Sequence, residues 1–272
     1  MNTTQKVIKV IAICLAVFII ANIFRVLLWG VSILTNISID NKKDVHVFTE
    51  NYKDLDNIIV DVSSANIVIE SGEAFKVEIN NMKNVLTTTN KNHTLKITEK
   101  NNWFWHHNSN GEVIIYVPND VKLNKLEIDN GAGNINILNI SSYELKLNQG
   151  AGKLLIDNSN FDKTNIDGGA GTINVTSSKL DNLDLDAGVG KIEIEAYLFG
   201  NSNIDCGVGE INITPLGARD DYRVIVDKGI GSINIDNSEA DSNTVYGNGP
   251  NSLTLEGGIG KISVNFKDYL YQ

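Results

Sequence analysis

The sequence predicts an all-β protein, a solenoid built from coils of about 19 residues, behind one N-terminal transmembrane helix. Three observations carry this reading. A Gly-x-Gly unit recurs seven times at near-constant spacing. Apolar residues two apart flank every unit, which is the alternation of a strand with one buried face. The first 35 residues are strongly apolar, whereas the remainder is polar with short apolar beats.

The leader comes first. Val10–Phe24 and Val26–Leu34 are apolar stretches separated by Arg25. About 20 apolar residues span a bilayer, so the segment is long enough. A secretory signal would have a shorter apolar region and then a small-residue cleavage site. No clear Ala-x-Ala follows, so residues 1–35 are expected to be an uncleaved anchor. Lys6 and Lys9 favour an N-terminus on the inside, while Lys42 and Lys43 weaken that orientation. Arg25 at mid-membrane would cost about 2.5–3.5 kcal/mol, so it is expected to snorkel to the outer interface. Ile13 stands before Cys14, where a lipoprotein needs a small residue, and lipidation is not expected.

Residues 36–57 read as a polar linker, and residues 58–122 as a β-cap of irregular coils. In the cap, Ile58–Val62, Ala65–Glu70, Lys76–Asn80, Thr94–Thr98 and Val113–Val117 alternate like strands, and Pro118-Asn119-Asp120 makes a turn. Between two of these strands lies Trp103-Phe104-Trp105, followed by His106 and His107. The aromatics are either a plug over the first coil, which repeat proteins need, or an exposed contact for a ligand, partner or lipid interface. Two adjacent histidines alone are too few ligands for zinc.

Residues 123–272 carry the repeats. The units are Gly131-Ala-Gly133, Gly150-Ala-Gly152, Gly169-Ala-Gly171, Gly188-Val-Gly190, Gly207-Val-Gly209, Gly229-Ile-Gly231 and Gly258-Ile-Gly260. First glycines are separated by 19, 19, 19, 19, 22 and 29 residues, and the two longer intervals read as loop insertions in the late repeats. Three residues before each first glycine stand Ile128, Leu147, Ile166, Leu185, Ile204, Val226 and Leu255. Four residues after it stand Ile135, Leu154, Ile173, Ile192, Ile211, Ile233 and Ile262. A repeat this short cannot bury its own apolar face, so neighbours must stack and share one core. The glycines then turn a sharp corner where positive φ or close backbone approach is required. The residue between them (Ala132, Ala151, Ala170, Val189, Val208, Ile230, Ile259) is expected to point inward. Ile262–Phe266 is expected to end the stack, with the tail from Lys267 to Gln272 covering its edge.

Few residues invite sharper chemistry. Gly-x-Gly seven times over, with no Gly-Lys-Ser/Thr and no helix after it, is not a phosphate loop. Asp129, Asn148, Asp167, Asp186, Asp205, Asp227 and Glu256 stand two residues before the first glycines and would stack as an acidic row. Such carboxylates bond turn amides and face water; calcium is the alternative, with Asp167, Asp186 and Asp205 as its weak candidates. Asn136, Asn174, Asn212 and Asn234 would form an amide ladder or a polar surface for carbohydrate. Cys206 reads as a buried small hydrophobe, and no disulfide with Cys14 is expected. No nucleophile–base or paired-carboxylate arrangement stands out, so no catalytic residue, metal or cofactor is assigned. The formal net charge of −10 disfavours nucleic acid as a partner.

The run Val113-Ile-Ile-Tyr-Val-Pro118, then Leu123–Ile128, then the repeated Gly-[Ala/Val/Ile]-Gly-x-Ile-x-Ile, resembles a bacterial family of domains of unknown function provisionally called adhesins. The resemblance covers roughly residues 55–266. It implies a right-handed β-helix or β-solenoid, often behind one transmembrane helix, and supplies no catalytic residues. Some members resemble accessory proteins of envelope stress responses to antibiotics that interfere with lipid II. The combined expectation is a non-enzymatic, single-pass membrane protein whose repeats face outside the cytoplasm. It would act as an adhesin, envelope scaffold or binding protein for an envelope protein or glycan. The alternatives are an accessory regulator of an envelope-stress response and, behind it, a polysaccharide-acting enzyme.

Overall fold

The computed structural model describes residues 47–82, 85–89, 92–99 and 111–266. The expected anchor over 1–35, the Trp103-Phe104-Trp105 loop and the tail from Lys267 lie outside the described residues. Within them no helix is long and apolar enough to cross a membrane. The chain folds as strands in an open, solenoid-like stack: β1 (Val47–Asn51), β2 (Asn57–Val62), β3 (Asn66–Gly72), β4 (Lys76–Asn80), β5 (Val85–Thr89), β6 (Thr94–Glu99), β7 (Glu112–Pro118), β8 (Lys122–Leu138), β9 (Ser141–Asp157), β10 (Asn160–Asp181), β11 (Leu183–Phe199), β12 (Asn201–Pro215), β13 (Tyr222–Ile235), β14 (Ser238–Glu239), β15 (Thr244–Tyr246) and β16 (Asn251–Val264). The one helical turn described is a 3-10 turn at Arg219–Asp221.

β8 to β12 are the regular coils. Each is one long strand bent at its glycines, and each pairs in parallel with the next. Ile128 lies opposite Leu147, Leu147 opposite Ile166, Ile166 opposite Leu185, and Leu185 opposite Ile204, a shift of one sequence repeat per rung. All five are essentially inaccessible to solvent. Burying each such side chain contributes about 1.5–3 kcal/mol, and a rung obtains that burial only from its neighbours.

The coils return at polar turns. Asn139, Asn158 and Ser177 adopt positive φ of 59°, 47° and 51° there. Asn tolerates that region because its short amide bonds locally. The buried hydroxyls beside these turns form their own ladder. Ser159 Oγ donates to Asp157 O at 2.9 Å and accepts from Ile140 N at 3.1 Å. Ser178 Oγ repeats the pattern one rung on, donating to Thr176 O at 2.7 Å and accepting from Ser159 N at 3.1 Å.

The two ends depart from chain order. β16 does not end the stack: it pairs in parallel with β12 on one side and β13 on the other. β13 is the outermost long rung, covered in part by the antiparallel β14 and β15. The longer late intervals are therefore not simple loop insertions. The chain leaves a gap beyond β12, lays down β13, and returns through β14 and β15 to fill the gap with β16. Tyr222 anchors this end. Its ring is buried, and its hydroxyl donates to Leu216 O at 2.6 Å.

The opposite end uses the same device. β2 and β3 together make the coil that pairs with β8, and β6 and β7, later in the chain, lie outside them. Antiparallel β4 and β5 then pair with β7 and β6, and β1 pairs with β4. β1 occupies part of the segment expected to be linker. Its Thr-Glu-Asn ending is too polar to stand out as a strand, and its pairing partner is what orders it. The Asn130 amide pins the first regular corner, accepting from Ala65 N at 3.2 Å and donating to Ala65 O at 3.0 Å.

Candidate functional site

The corner made by the Gly-x-Gly units is the most regular surface feature of the molecule. Gly133, Gly152, Gly171, Gly190, Gly209, Gly260 and Gly231 stand in register, one per rung. At each the backbone of one rung presses on the carbonyl of the rung before. At Gly190, φ is +151° and a Cβ would lie 1.8 Å from Gly171 O, so no side chain fits. The first glycine is less constrained. At Gly188 a Cβ would meet Gly169 O at 2.7 Å. The positive φ falls on the second glycine of every pair and not on the first.

The residue between the glycines points outward, contrary to the sequence expectation. Val189, Val208, Ile259 and Ile230 are 55, 44, 53 and 70% exposed. The reason is one of parity. Leu185 and Ala187 are buried before the corner, and Ile192 and Ile194 after it. An odd number of steps separates the two sets, so the in–out alternation must slip once between them. The slip falls before Val189, which takes the outward phase of Lys191 and Glu193. In stacking order the corner carries Ala132, Ala151, Ala170, Val189, Val208, Ile259 and Ile230, each opposite the next. The result is an apolar ridge that grows along the stack.

An acidic row runs beside this ridge, as the spacing predicts. Asp129, Asn148, Asp167, Asp186, Asp205, Glu256 and Asp227 are successive register partners. All but the half-buried Asn148 are exposed. Partial burial first, and then the Asp186 carboxylate, hold Asp205 above the usual carboxylate range. The calcium candidates Asp167, Asp186 and Asp205 thus stand in single file. Among the described residues no group of three or more His, Cys, Asp or Glu side chains is placed to hold a metal ion. On the other flank are Lys153, Thr172, Lys191, Glu210, Lys261 and Ser232, where Lys191 pairs with Glu193 at 2.6 Å and Lys261 with Glu210 at 3.7 Å. Cys206 is buried, and burial pushes its thiol up, which makes it a packing group and not a nucleophile. The row of Asn136, Asn174, Asn212 and Asn234 is in register with Leu155, Glu193 and Ser263 between.

Residues 55–249 match the family model of Toastrack DUF4097 domains. The chain belongs to this family. No curated protein matches it. Among solved structures, the Toastrack chain is similar to a provisionally named adhesin from Bacteroides fragilis NCTC 9343. The two are 14% identical, with a TM-score of 0.49, over 84% of this chain and 100% of that one. It is also similar to a provisionally named adhesin from Parabacteroides merdae ATCC 43184, at 16% identity and a TM-score of 0.40, over 84% of this chain and 98% of that one. A provisionally named lipid-binding protein from Parabacteroides distasonis ATCC 8503 is 17% identical, with a TM-score of 0.41, over 82% of this chain and 98% of that one.

A second surface of the Toastrack stack was missed at the sequence level. Lys122 Nζ sits 4.1 Å over the exposed Tyr143 ring and bonds Asp162 at 2.7 Å. Tyr197 and Phe199 lie parallel, 6.1 Å apart, with Lys179 Nζ 5.0 Å over Phe199. Lys122 and Tyr143 belong to neighbouring coils and come together only through the one-repeat register. The signal was present as a lysine or aromatic at matching offsets, but it lies near the strand ends, on the outward positions between the apolar beats.

Proposed function

We propose that this Toastrack chain is a non-enzymatic binding scaffold, anchored in the cell membrane by residues 1–35 and displaying its stack outside the cytoplasm. The observation that carries the binding role is the corner ridge. A side chain between two corner glycines does not enter the core, so the fold would accept Ala or Ser there, as the first coils do with Ala132, Ala151 and Ala170. The later coils instead place Val and Ile there, exposed and in line. An apolar line that does not serve the core is the signature of a contact surface. The anchor reading rests on the length of the apolar leader.

The test has two arms on the full-length chain in cells. Tyr143→Cys, exposed and away from the ridge, should react with a membrane-impermeant maleimide added outside. Cross-linked membranes should yield a partner with the native chain that is lost when Val189, Val208, Ile230 and Ile259 are changed to Ser together. Labelling only after lysis would overturn the display. A partner that survives the quadruple change would overturn the ridge as the contact.

A further inference from the structure

We infer that the ridge pairs with the ridge of a second copy of the chain, in a parallel twofold dimer whose axis runs along the stack. The inference rests on the reading of the corner as a contact surface. It adds the partner and its orientation.

Self-pairing suits the shape. The ridge is a line of exposed single side chains along the corner, and two such lines cover one another rung by rung. At about 4.8 Å per rung, the four large side chains extend over roughly 14 Å. Val189, Val208, Ile259 and Ile230 are consecutive in the register, so the line has no polar gap.

Charge selects the orientation. Over these four rungs one flank carries Asp186, Asp205, Glu256 and Asp227, and the other carries Lys191, Glu210, Lys261 and Ser232. Two facing copies admit two twofold arrangements. With the axis across the ridge, the acidic flank of each copy meets the acidic flank of the other, and four carboxylates oppose four. With the axis along the ridge, each acidic flank meets the opposite flank. Asp186 then faces the partner's Lys191, Glu256 faces the partner's Lys261, Asp227 faces a neutral Ser232, and Asp205 against Glu210 is the one like-charge pair. Like charges in contact disfavour the first arrangement. A twofold interface is self-complementary, so each rung meets its own counterpart.

Size sets the strength. Four side chains and their flanks fall short of the about 1,200 Å² that a stable interface buries, so the dimer is weak in dilute solution. Copies held in one membrane meet at a higher effective concentration, and there the pair closes.

The test uses the full-length chain in membranes, with Cys14→Ser and one new cysteine at a time: Val189→Cys, Val208→Cys, Ile259→Cys or Ile230→Cys. A short bismaleimide is added. The parallel dimer predicts that all four variants cross-link to themselves with similar yield. Adding Ile230→Asp and Ile259→Asp to Val208→Cys should lower its yield about tenfold, the scale expected when two of the four apolar contacts are lost. A melt of each variant checks that it is folded. Absence of cross-linking at every position would overturn the dimer. So would self-linking of Val208→Cys and Ile259→Cys alone with a mixed Val189→Cys and Ile230→Cys product, which is the antiparallel pattern. Cross-linking that survives the two Asp changes would also overturn it. Outside labelling of Tyr143→Cys without any ridge cross-link would reject the dimer and leave surface display standing.

Discussion

Gly190→Ala should be among the most damaging single-methyl changes in the stack. Gly190 has φ of +151°, and its added Cβ would lie 1.8 Å from Gly171 O and 2.9 Å from that carbonyl's carbon, against a floor of 3.0 Å for real Cβ contacts. Holding a non-glycine residue in that backbone region costs about 1–3 kcal/mol. Forcing two packed rungs apart costs a further 1–3 kcal/mol or so. The sum is about 4 kcal/mol, or a fall in melting temperature of about 8–16 °C for a folded unit of this size. Two neighbours calibrate it. Gly188→Ala has no positive φ to satisfy, and its Cβ lies 2.7 Å from Gly169 O, so it should cost only the packing share. Gly168→Ala stands opposite Ala187 and meets only the flexible end of Ile173 at 3.1 Å, so it should be neutral or slightly stabilising. The assay is a far-UV circular dichroism melt of each full-length variant. If Gly190→Ala melted within about 2 °C of the parent, or Gly168→Ala fell as far, the rung-on-rung geometry would be wrong.

Four further outcomes are expected. Deleting residues 164–182 joins Lys163 to Leu183, the register partner of Thr164, so β9 should stack directly on β11. The shortened chain should keep its β-sheet dichroism and a cooperative melt, and a scrambled, protease-sensitive product would rule out the solenoid. Asp205 has a folded-state pKa raised above its unfolded value, so its ionisation opposes folding. Asp205→Asn should therefore be more stable than the parent at neutral pH in urea titration, and the advantage should shrink as the pH falls through the raised folded value and be gone below the unfolded carboxylate value of about 3.9. Tyr222→Phe removes the buried hydroxyl that donates to Leu216 O and should cost about 1–2 kcal/mol by the same titration. Added calcium should leave the melt unmoved, and an upward shift that Asp186→Asn cancels would restore the acidic row as a cation site.

The middle of the molecule was readable because it is periodic. Gly131, Gly150, Gly169, Gly188 and Gly207, with Ile or Leu at fixed offsets, specify the parallel register of β8 to β12 without any distant information. The ends were not readable in the same way. β13 reads Val224-x-Val226 and then Gly229-Ile-Gly231-x-Ile233, and β16 reads Leu253-x-Leu255 and then Gly258-Ile-Gly260-x-Ile262. Either would fit on β12, and nothing local to the two segments tells that β13, which β14 and β15 cover, goes outside. The outward turn of Val189 was legible in part. The odd spacing between Leu185 and Ile192 requires one slip of phase, but only the close approach of Gly190 to Gly171 fixes where it falls. The Lys122–Tyr143 and Tyr197–Phe199 contacts depend on outward residues near the strand ends, whose placement follows from the coil and not from any local pattern.

The insertion of β16 between β12 and β13 has a consequence for assembly. β13 leaves the ribosome first and offers β12 a matching edge, so a shorter, out-of-order tower is open to the growing chain. Reaching the final arrangement means either that β13 waits unpaired or that it lets go again to admit a latecomer. The same wedge then bars the reverse route: that end cannot peel away strand by strand in chain order, because removing β16 requires two ladders to part at once. Fraying at this tip must therefore begin at β13, inside the late sequence, and not at the last strand of the chain.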